Sequence, residues 1–140
     1  MTMRHYEGAC HCGAARFEAD IDLTAGTNRC NCSYCSKTRA WFAFVPASRF
    51  RLTQGEDEMA EYRWTPPGKP EPFLNFRFCS RCGVRLFATG DAPQFGGRFY
   101  AVHVPALQHV DPEELASAPI HYADGAHDRF DRAPADTRLL

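Results

Sequence analysis

The stretch CSRCG at positions 79–83 has a counterpart, CHCG, at positions 10–13, and a third stretch, CNCSYC, lies between them at positions 30–35. In the first two stretches a glycine directly follows the last cysteine, where a turn around a metal often needs the positive φ that glycine adopts freely. Because the two stretches look alike, we assign their four cysteines to one closed zinc site. These predicted ligands are Cys10, Cys12, Cys79 and Cys82. Such a site would join distant parts of the chain and so decide the fold.

The middle stretch contains the other three cysteines, Cys30, Cys32 and Cys35. Three neighbouring thiolates repel one another unless a cation neutralises them, so we predict a second zinc ion here. With three protein ligands the metal keeps an open position for water or a substrate thiol, where chemistry can occur. Two alternatives stay open: a histidine closes this site as well, or the thiols are free and redox-active, as Cys-x-x-Cys spacing permits.

The overall composition excludes two classes of partner. The chain has 140 residues with 16 Lys and Arg against 17 Asp and Glu, so a basic surface for nucleic acid is not expected. The N-terminus has no apolar run typical of a secretory signal, and no stretch has the roughly 18 apolar residues that span a bilayer. We therefore expect one cytoplasmic domain over residues 1–140, in a reducing compartment where clustered thiols bind metals rather than form disulfides. The sequence predicts no oligomeric state.

Short segments rich in aromatic and β-branched residues indicate a mainly β fold. The predicted strands are Arg16–Ile21, Trp41–Val45, Phe50–Thr53, Met59–Trp64, Phe73–Phe78, Arg85–Thr89 and Arg98–Val104. Two short helices are predicted, Ser33–Thr38 and Asp111–Ala116, the second with Asp111 as its N-cap and Pro112 in its first turn. The proline-rich segment 65–72 is predicted to be an exposed loop, and the polar tail 128–140 to lie over the surface or fray.

The three cysteine stretches at these separations resemble the glutathione-dependent formaldehyde-activating enzyme family, which also includes the centromere protein V-like proteins. The resemblance extends from about residue 6 to residue 134 and includes the segment Pro119–Tyr122. It implies a β-tent type fold of coiled antiparallel sheets, two zinc ions per chain, and catalysis at the zinc of the three-cysteine stretch. It also implies glutathione as the thiol, formaldehyde as the carbonyl compound, and S-(hydroxymethyl)glutathione as the product.

Other polar residues have both a functional and a structural interpretation. Lys37 and Arg39 closely follow the three-cysteine stretch, so they are candidates to bind a substrate carboxylate, although solvated surface cations are the usual alternative. His11 lies between two predicted ligands, and its side chain is expected to point away from the metal. His103 is a candidate general base or a buried sheet histidine. His121 is expected to satisfy a backbone carbonyl rather than to orient a ligand.

The sequence thus favours a zinc-dependent carbon–sulfur lyase-like enzyme acting on a small thiol and a small carbonyl compound. The main alternative is a binding or structural module in which both zinc ions only stabilise the fold. Thiol redox chemistry ranks last because all seven cysteines already belong to the clusters.

Overall fold

A computed structural model describes residues 2–140, which form ten β-strands, two α-helices and several short 3-10 turns. The strands are β1 Arg4–Ala9, β2 Arg16–Ile21, β3 Thr27–Cys30, β4 Phe42–Pro46, β5 Phe50–Gln54, β6 Met59–Arg63, β7 Asn75–Cys79, β8 Arg85–Ala92, β9 Gly97–His103 and β10 Ile120–Ala123. The helices are α1 Ser33–Thr38 and α2 Pro112–Ser117.

The strands form two sheets. Three strands in the order β1-β2-β5 make an antiparallel sheet. Seven strands make the second sheet in the order β10-β3-β4-β9-β8-β7-β6. All neighbours in the larger sheet are antiparallel except β10 and β3, which run parallel with Ala123 opposite Cys30. The parallel pair places the end of β10 beside the three-cysteine stretch.

The main hydrophobic core joins the two sheets. Phe17 of β2 packs in one buried cluster with Phe87 and Val102, which lie on neighbouring strands of the larger sheet. Successive residues of a strand point to opposite faces. Ala88 and Ala101 therefore face the other side of the larger sheet, where they form a second buried cluster with Cys35. The three-cysteine stretch is thus packed on the face of the larger sheet that points away from the main core.

The mainly β class predicted from the sequence is confirmed. The predicted helix Ser33–Thr38 matches α1, and the predicted helix Asp111–Ala116 differs from α2 by one residue at each end. Of the seven predicted strands, Arg16–Ile21 matches β2, and the other six correspond to β4–β9 with at least one end shifted. Strands β1, β3 and β10 are not predicted because they are short or polar. The sheets are antiparallel, as the resemblance implied, with one parallel pair, β10 and β3.

Candidate metal centre

The stretches CHCG and CSRCG form two turns of the same design, one after β1 and one after β7. In each turn the backbone N–H of the glycine donates to the carbonyl of the first cysteine, over 3.2 Å for Gly13 and 2.9 Å for Gly83. Both glycines have a positive φ, 80° and 76° respectively, which explains why this position needs glycine. Cys79 ends β7 and is completely buried, and Cys10 is 3% exposed.

The four sulfurs of these turns have the spacing of a metal tetrahedron. The Sγ atoms of Cys10, Cys12, Cys79 and Cys82 all lie within 4.8 Å of one another. Cys12 Sγ lies 3.7 Å from the Sγ of Cys10 and 3.7 Å from that of Cys79. Zinc–sulfur bonds of about 2.3 Å in tetrahedral geometry require sulfur–sulfur distances of about 3.8 Å. The donor set and its geometry therefore fit a closed tetrathiolate zinc site.

Backbone N–H groups provide further support for negative charge on these sulfurs. Ala15 N–H donates to Cys10 Sγ and Arg81 N–H donates to Cys79 Sγ, each over 3.4 Å. The backbone N–H groups of Cys12 and Val84 lower the pKa of the Cys82 thiol to about 6. Hydrogen bonds to the charged form favour ionisation, so the turns are suited to hold thiolates.

The three remaining cysteines meet at the junction of β3 and α1. Cys30 ends β3, Cys32 is the N-cap of α1, and Cys35 lies in the first turn of that helix. Their Sγ atoms also lie within 4.8 Å of one another. Among residues 2–140, no histidine nitrogen or carboxylate oxygen joins the group at that spacing. The cluster therefore offers a metal three protein ligands, of which Cys30 and Cys32 are only half-buried.

Hydrogen bonds among the three thiols shift the pKa values of Cys32 and Cys35 in opposite directions. Hydrogen bonds from the thiols of Cys30 and Cys35 lower the pKa of the Cys32 thiol to about 3. Hydrogen bonds with Cys30 and Cys32 raise the pKa of the Cys35 thiol, and burial raises it further. The backbone N–H of Cys35 also donates to Cys32 Sγ over 3.3 Å. A metal bound by all three sulfurs would have to displace the remaining protons.

The segment after β10 packs directly against this cluster. Asn31, between two of the cysteines, donates from Nδ2 to Asp124 Oδ1 and accepts at Oδ1 from the N–H of Ala126, each over 2.9 Å. A Cβ atom on Gly125 would overlap Cys30 Sγ and lie 3.1 Å from the Cβ of Cys32. Glycine is therefore required at position 125 for the segment to approach so closely.

Asp124 is the anchor of this segment. Its side chain is 8% exposed, and both of its carboxylate oxygens lie 2.9 Å from Nδ1 of His127, which donates to them. Its backbone N–H donates to the carbonyls of Arg129 and Arg132. Hydrogen bonds from Asn31 and His127 hold the pKa of the Asp124 carboxyl below its usual value. Residues 129–132 belong to the tail that the sequence predicts to lie over the surface or fray, and they are bonded to Asp124.

The structure places the other candidate residues as follows. Lys37 and Arg39 are exposed at the C-terminal end of α1, whereas the cysteines lie at or before its N-terminal turn. His11 is exposed and lies outside the cluster of sulfurs. His121 donates from Nε2 to the carbonyl of Ala25 over 3.2 Å, as expected. His103 packs against Phe42 with a ring distance of 6.2 Å, and its Nδ1 is buried without a hydrogen-bond partner.

Sequence reasoning missed the network of Asn31, Asp124 and His127. The spacing of Asp124 and His127 is a signal, because residues three apart in a 3-10 turn lie on the same side. Nothing in the local sequence brings this turn to the cysteines, however. Its position depends on the pairing of β10 with β3, which are about 90 residues apart in the chain.

The mainly β architecture and the two sulfur clusters define a class of thiol-rich protein whose sulfur spacing is compatible with metal binding. Comparisons with known proteins identify its family. The sequence profile of the glutathione-dependent formaldehyde-activating enzyme family matches residues 5–122. The chain therefore belongs to this family, and the resemblance noted from the cysteine stretches is confirmed.

Two individual proteins illustrate the similarity. A Halomonas elongata protein that carries the family's name is 32% identical over 85 residues, which is 58% of this chain and 54% of the relative. The match thus spans about half the length of that relative. The crystal structure of a Rhodobacter sphaeroides protein has a TM-score of 0.64 and 27% identity, and the match covers 81% of this chain and 98% of that one. No helix among residues 2–140 is both long and apolar enough to cross a membrane.

Proposed function

We propose that the protein is a zinc-dependent carbon–sulfur lyase-like enzyme that joins a small thiol, with glutathione as the leading candidate, to a small carbonyl compound such as formaldehyde. The observation that carries this proposal is the contrast between the two clusters. One provides four sulfurs and the other three, at spacings that fit one metal ion each. The family membership supports both the thiol and the carbonyl compound. We also propose that residues 1–140 act as a single domain in the cytoplasm.

Each cluster has a separate task in this proposal. Cys10, Cys12, Cys79 and Cys82 hold a structural zinc ion. Cys30, Cys32 and Cys35 hold a second zinc ion that would lower the pKa of a bound substrate thiol, as metals do for coordinated thiols. In the overall reaction the sulfur forms a bond to the carbonyl carbon, and the thiol proton ends on the carbonyl oxygen. The chain contributes by fixing the three sulfurs at the start of α1 and by holding Asn31 against Asp124.

The metal content is the first test. The two sulfur groups predict two zinc ions per chain in reduced, carefully purified protein, measured by elemental analysis. Cys32→Ser is the most suitable variant for the second site, because serine is a good N-cap and preserves the start of α1. This variant should retain about one zinc ion per chain. One metal or none in the wild-type protein would contradict the two-site proposal.

Thiol binding is the second test. Calorimetry should show that glutathione binds with release of a proton, because the coordinated sulfur is a thiolate. S-methylglutathione cannot supply a thiolate and should bind at least about tenfold more weakly, and Cys32→Ser should remove the difference between the two ligands. Equal affinity for both ligands in the wild-type protein would favour the alternative, in which both zinc ions only stabilise a binding or structural module.

A further inference from the structure

The outer edge of β6 has no partner strand. β6 is the last strand of the larger sheet and pairs on one side only, with β7. Apart from that ladder, no backbone hydrogen bond among residues 2–140 joins Met59–Arg63 to another segment. The outer edge of β1, in comparison, is partly covered, because the Glu7 carbonyl accepts from the N–H of Gln108 and Gly8 forms a bridge with Leu107. An open edge such as that of β6 can pair with a strand of another chain.

The side chains of β6 divide between its two faces. Tyr62 is 47% exposed and continues an aromatic row, since its ring centre lies 6.0 Å from that of Tyr34 and 6.4 Å from that of Phe76. Glu61 and Arg63 lie on the other face, because successive residues of a strand alternate. Both are exposed, and Glu61 Oε1 accepts a hydrogen bond from Arg63 Nε over 2.9 Å. The edge thus presents an aromatic ring on one face and an acid–base pair on the other.

The sequence of β6 is complementary to itself in an antiparallel register centred on Tyr62. Two copies related by a twofold axis pair about one central residue, and the choice of that residue fixes all the other pairs. With Tyr62 at the centre, Glu61 of each copy faces Arg63 of the other, and the two tyrosine rings face each other. A centre on Glu61 or on Arg63 would place like charges opposite each other, and a centre on Ala60 would place Glu61 opposite Met59. The register centred on Tyr62 therefore combines two opposite-charge pairs with an aromatic pair, and both kinds stabilise a sheet.

We propose that a second copy of this chain docks on β6, so that the larger sheets of the two copies continue into each other across a twofold axis. β5 and β10 are also outer strands, but neither contains an acidic residue, so neither can form opposite-charge pairs with its own copy. The interface is small because β6 has only five residues. Small interfaces associate weakly, so we expect a reversible dimer with a dissociation constant on the order of 10–100 μM.

Sedimentation velocity of the reduced, zinc-loaded protein at concentrations from about 1 to 500 μM measures this equilibrium. With rising concentration the wild type should shift reversibly from a species of 15.8 kDa toward one of twice that mass. Glu61→Arg should weaken the dimer about tenfold or more, because both opposite-charge pairs become pairs of like charge, and Arg63→Glu should do the same. The double variant Glu61→Arg/Arg63→Glu exchanges the two charges and should restore the wild-type affinity to within about twofold.

The two single variants also test each other. Mixed in equal amounts they should form a heterodimer, because each supplies the charges that the other lacks. Arg49→Glu reverses an exposed arginine in the turn between β4 and β5, so it is the control and should dimerise like the wild type.

Circular dichroism melts confirm that each variant is folded, as expected since an exposed ion pair contributes little to stability. A wild type that stays monomeric at every concentration would overturn the proposal. Association that is equally strong in the wild type and in both single variants would also overturn it, because the contact would then lie elsewhere. Either result leaves the proposed thiol-binding function untouched.

Discussion

At the scale of single residues, His103 is an unusual feature of the larger sheet. Its Nδ1 is buried and has no hydrogen-bond partner among residues 2–140. Burial, together with the positive charges of Arg85 and Arg29, lowers the pKa of the imidazole to about 4. The ring therefore stays neutral in the folded chain at pH values where an unfolded chain would protonate it.

This shift predicts a specific loss of stability in acid. The unfolded chain binds the proton near pH 6.5 and the folded chain only near pH 4, so stability falls as the pH falls through this window. The loss attributable to His103 should be about 2 kcal/mol, allowing for partial solvent screening. Urea denaturation of the wild type and of His103→Phe should show it as a smaller acid loss in the variant. Any loss of a bound metal in acid would affect the wild type and the variant equally. Parallel pH profiles of stability for the two proteins would rule out this role for His103.

At the scale of elements, the contact between the segment after β10 and the three-cysteine stretch depends on the small size of one residue. Gly125→Ala would place a methyl group against Cys30 Sγ and 3.1 Å from Cys32 Cβ. We expect a loss of about 1–3 kcal/mol, as for other overpacked sites, and a fall in zinc content toward about one ion per chain. Thermal melts and elemental analysis measure the two effects.

Ala126→Ser is the matched control for this prediction. Ala126 is exposed, and its contact with Asn31 is made by its backbone N–H, which serine retains. This variant should melt like the wild type and hold as much zinc. If Gly125→Ala does the same, the segment is not packed against the sulfurs as the structure has it.

The elements also show what the sequence can and cannot predict. Strands such as β7 and β9 are visible because large apolar side chains recur in them with period two. Strands β3 and β10 cannot be predicted in this way, because their sequences, TNRC and IHYA, have no such pattern. They are recognised as strands only from their pairing in the sheet. The seven cysteines were grouped from their spacing and the glycines, which are local signals. The contacts of Asp124 and Gly125 with the three-cysteine stretch could not be predicted, since they depend on the pairing of distant strands.

At the scale of the whole molecule, the four-cysteine site links the two sheets. Cys10 follows β1 of the smaller sheet, and Cys79 ends β7 of the larger one. The three-cysteine cluster, in contrast, lies within six consecutive residues. A structural zinc ion contributes about 10–16 kcal/mol of apparent binding free energy, which is comparable to the roughly 5–15 kcal/mol net stability of a domain.

The two clusters should therefore differ in their effect on folding. We predict that Cys79→Ser unfolds or precipitates the protein, since it opens the site that links the sheets and buries a hydroxyl where no atom is exposed. Cys32→Ser should remain folded, because its loop is local and serine maintains the N-cap of α1. Circular dichroism and thermal melts compare the two variants directly. Equal losses of stability would contradict this division between the clusters.

The parallel pairing of β10 with β3 sets an order of events during synthesis of the chain. All four cysteines of the sheet-linking site precede β10 in the chain, so that site can assemble without β10. The loop of Cys30, Cys32 and Cys35 is made early but gains its neighbours Asp124 and Gly125 only after β10 has been made. The nascent chain therefore carries three uncovered thiols until β10 has been made, and in this interval they are most open to oxidation or to the wrong metal.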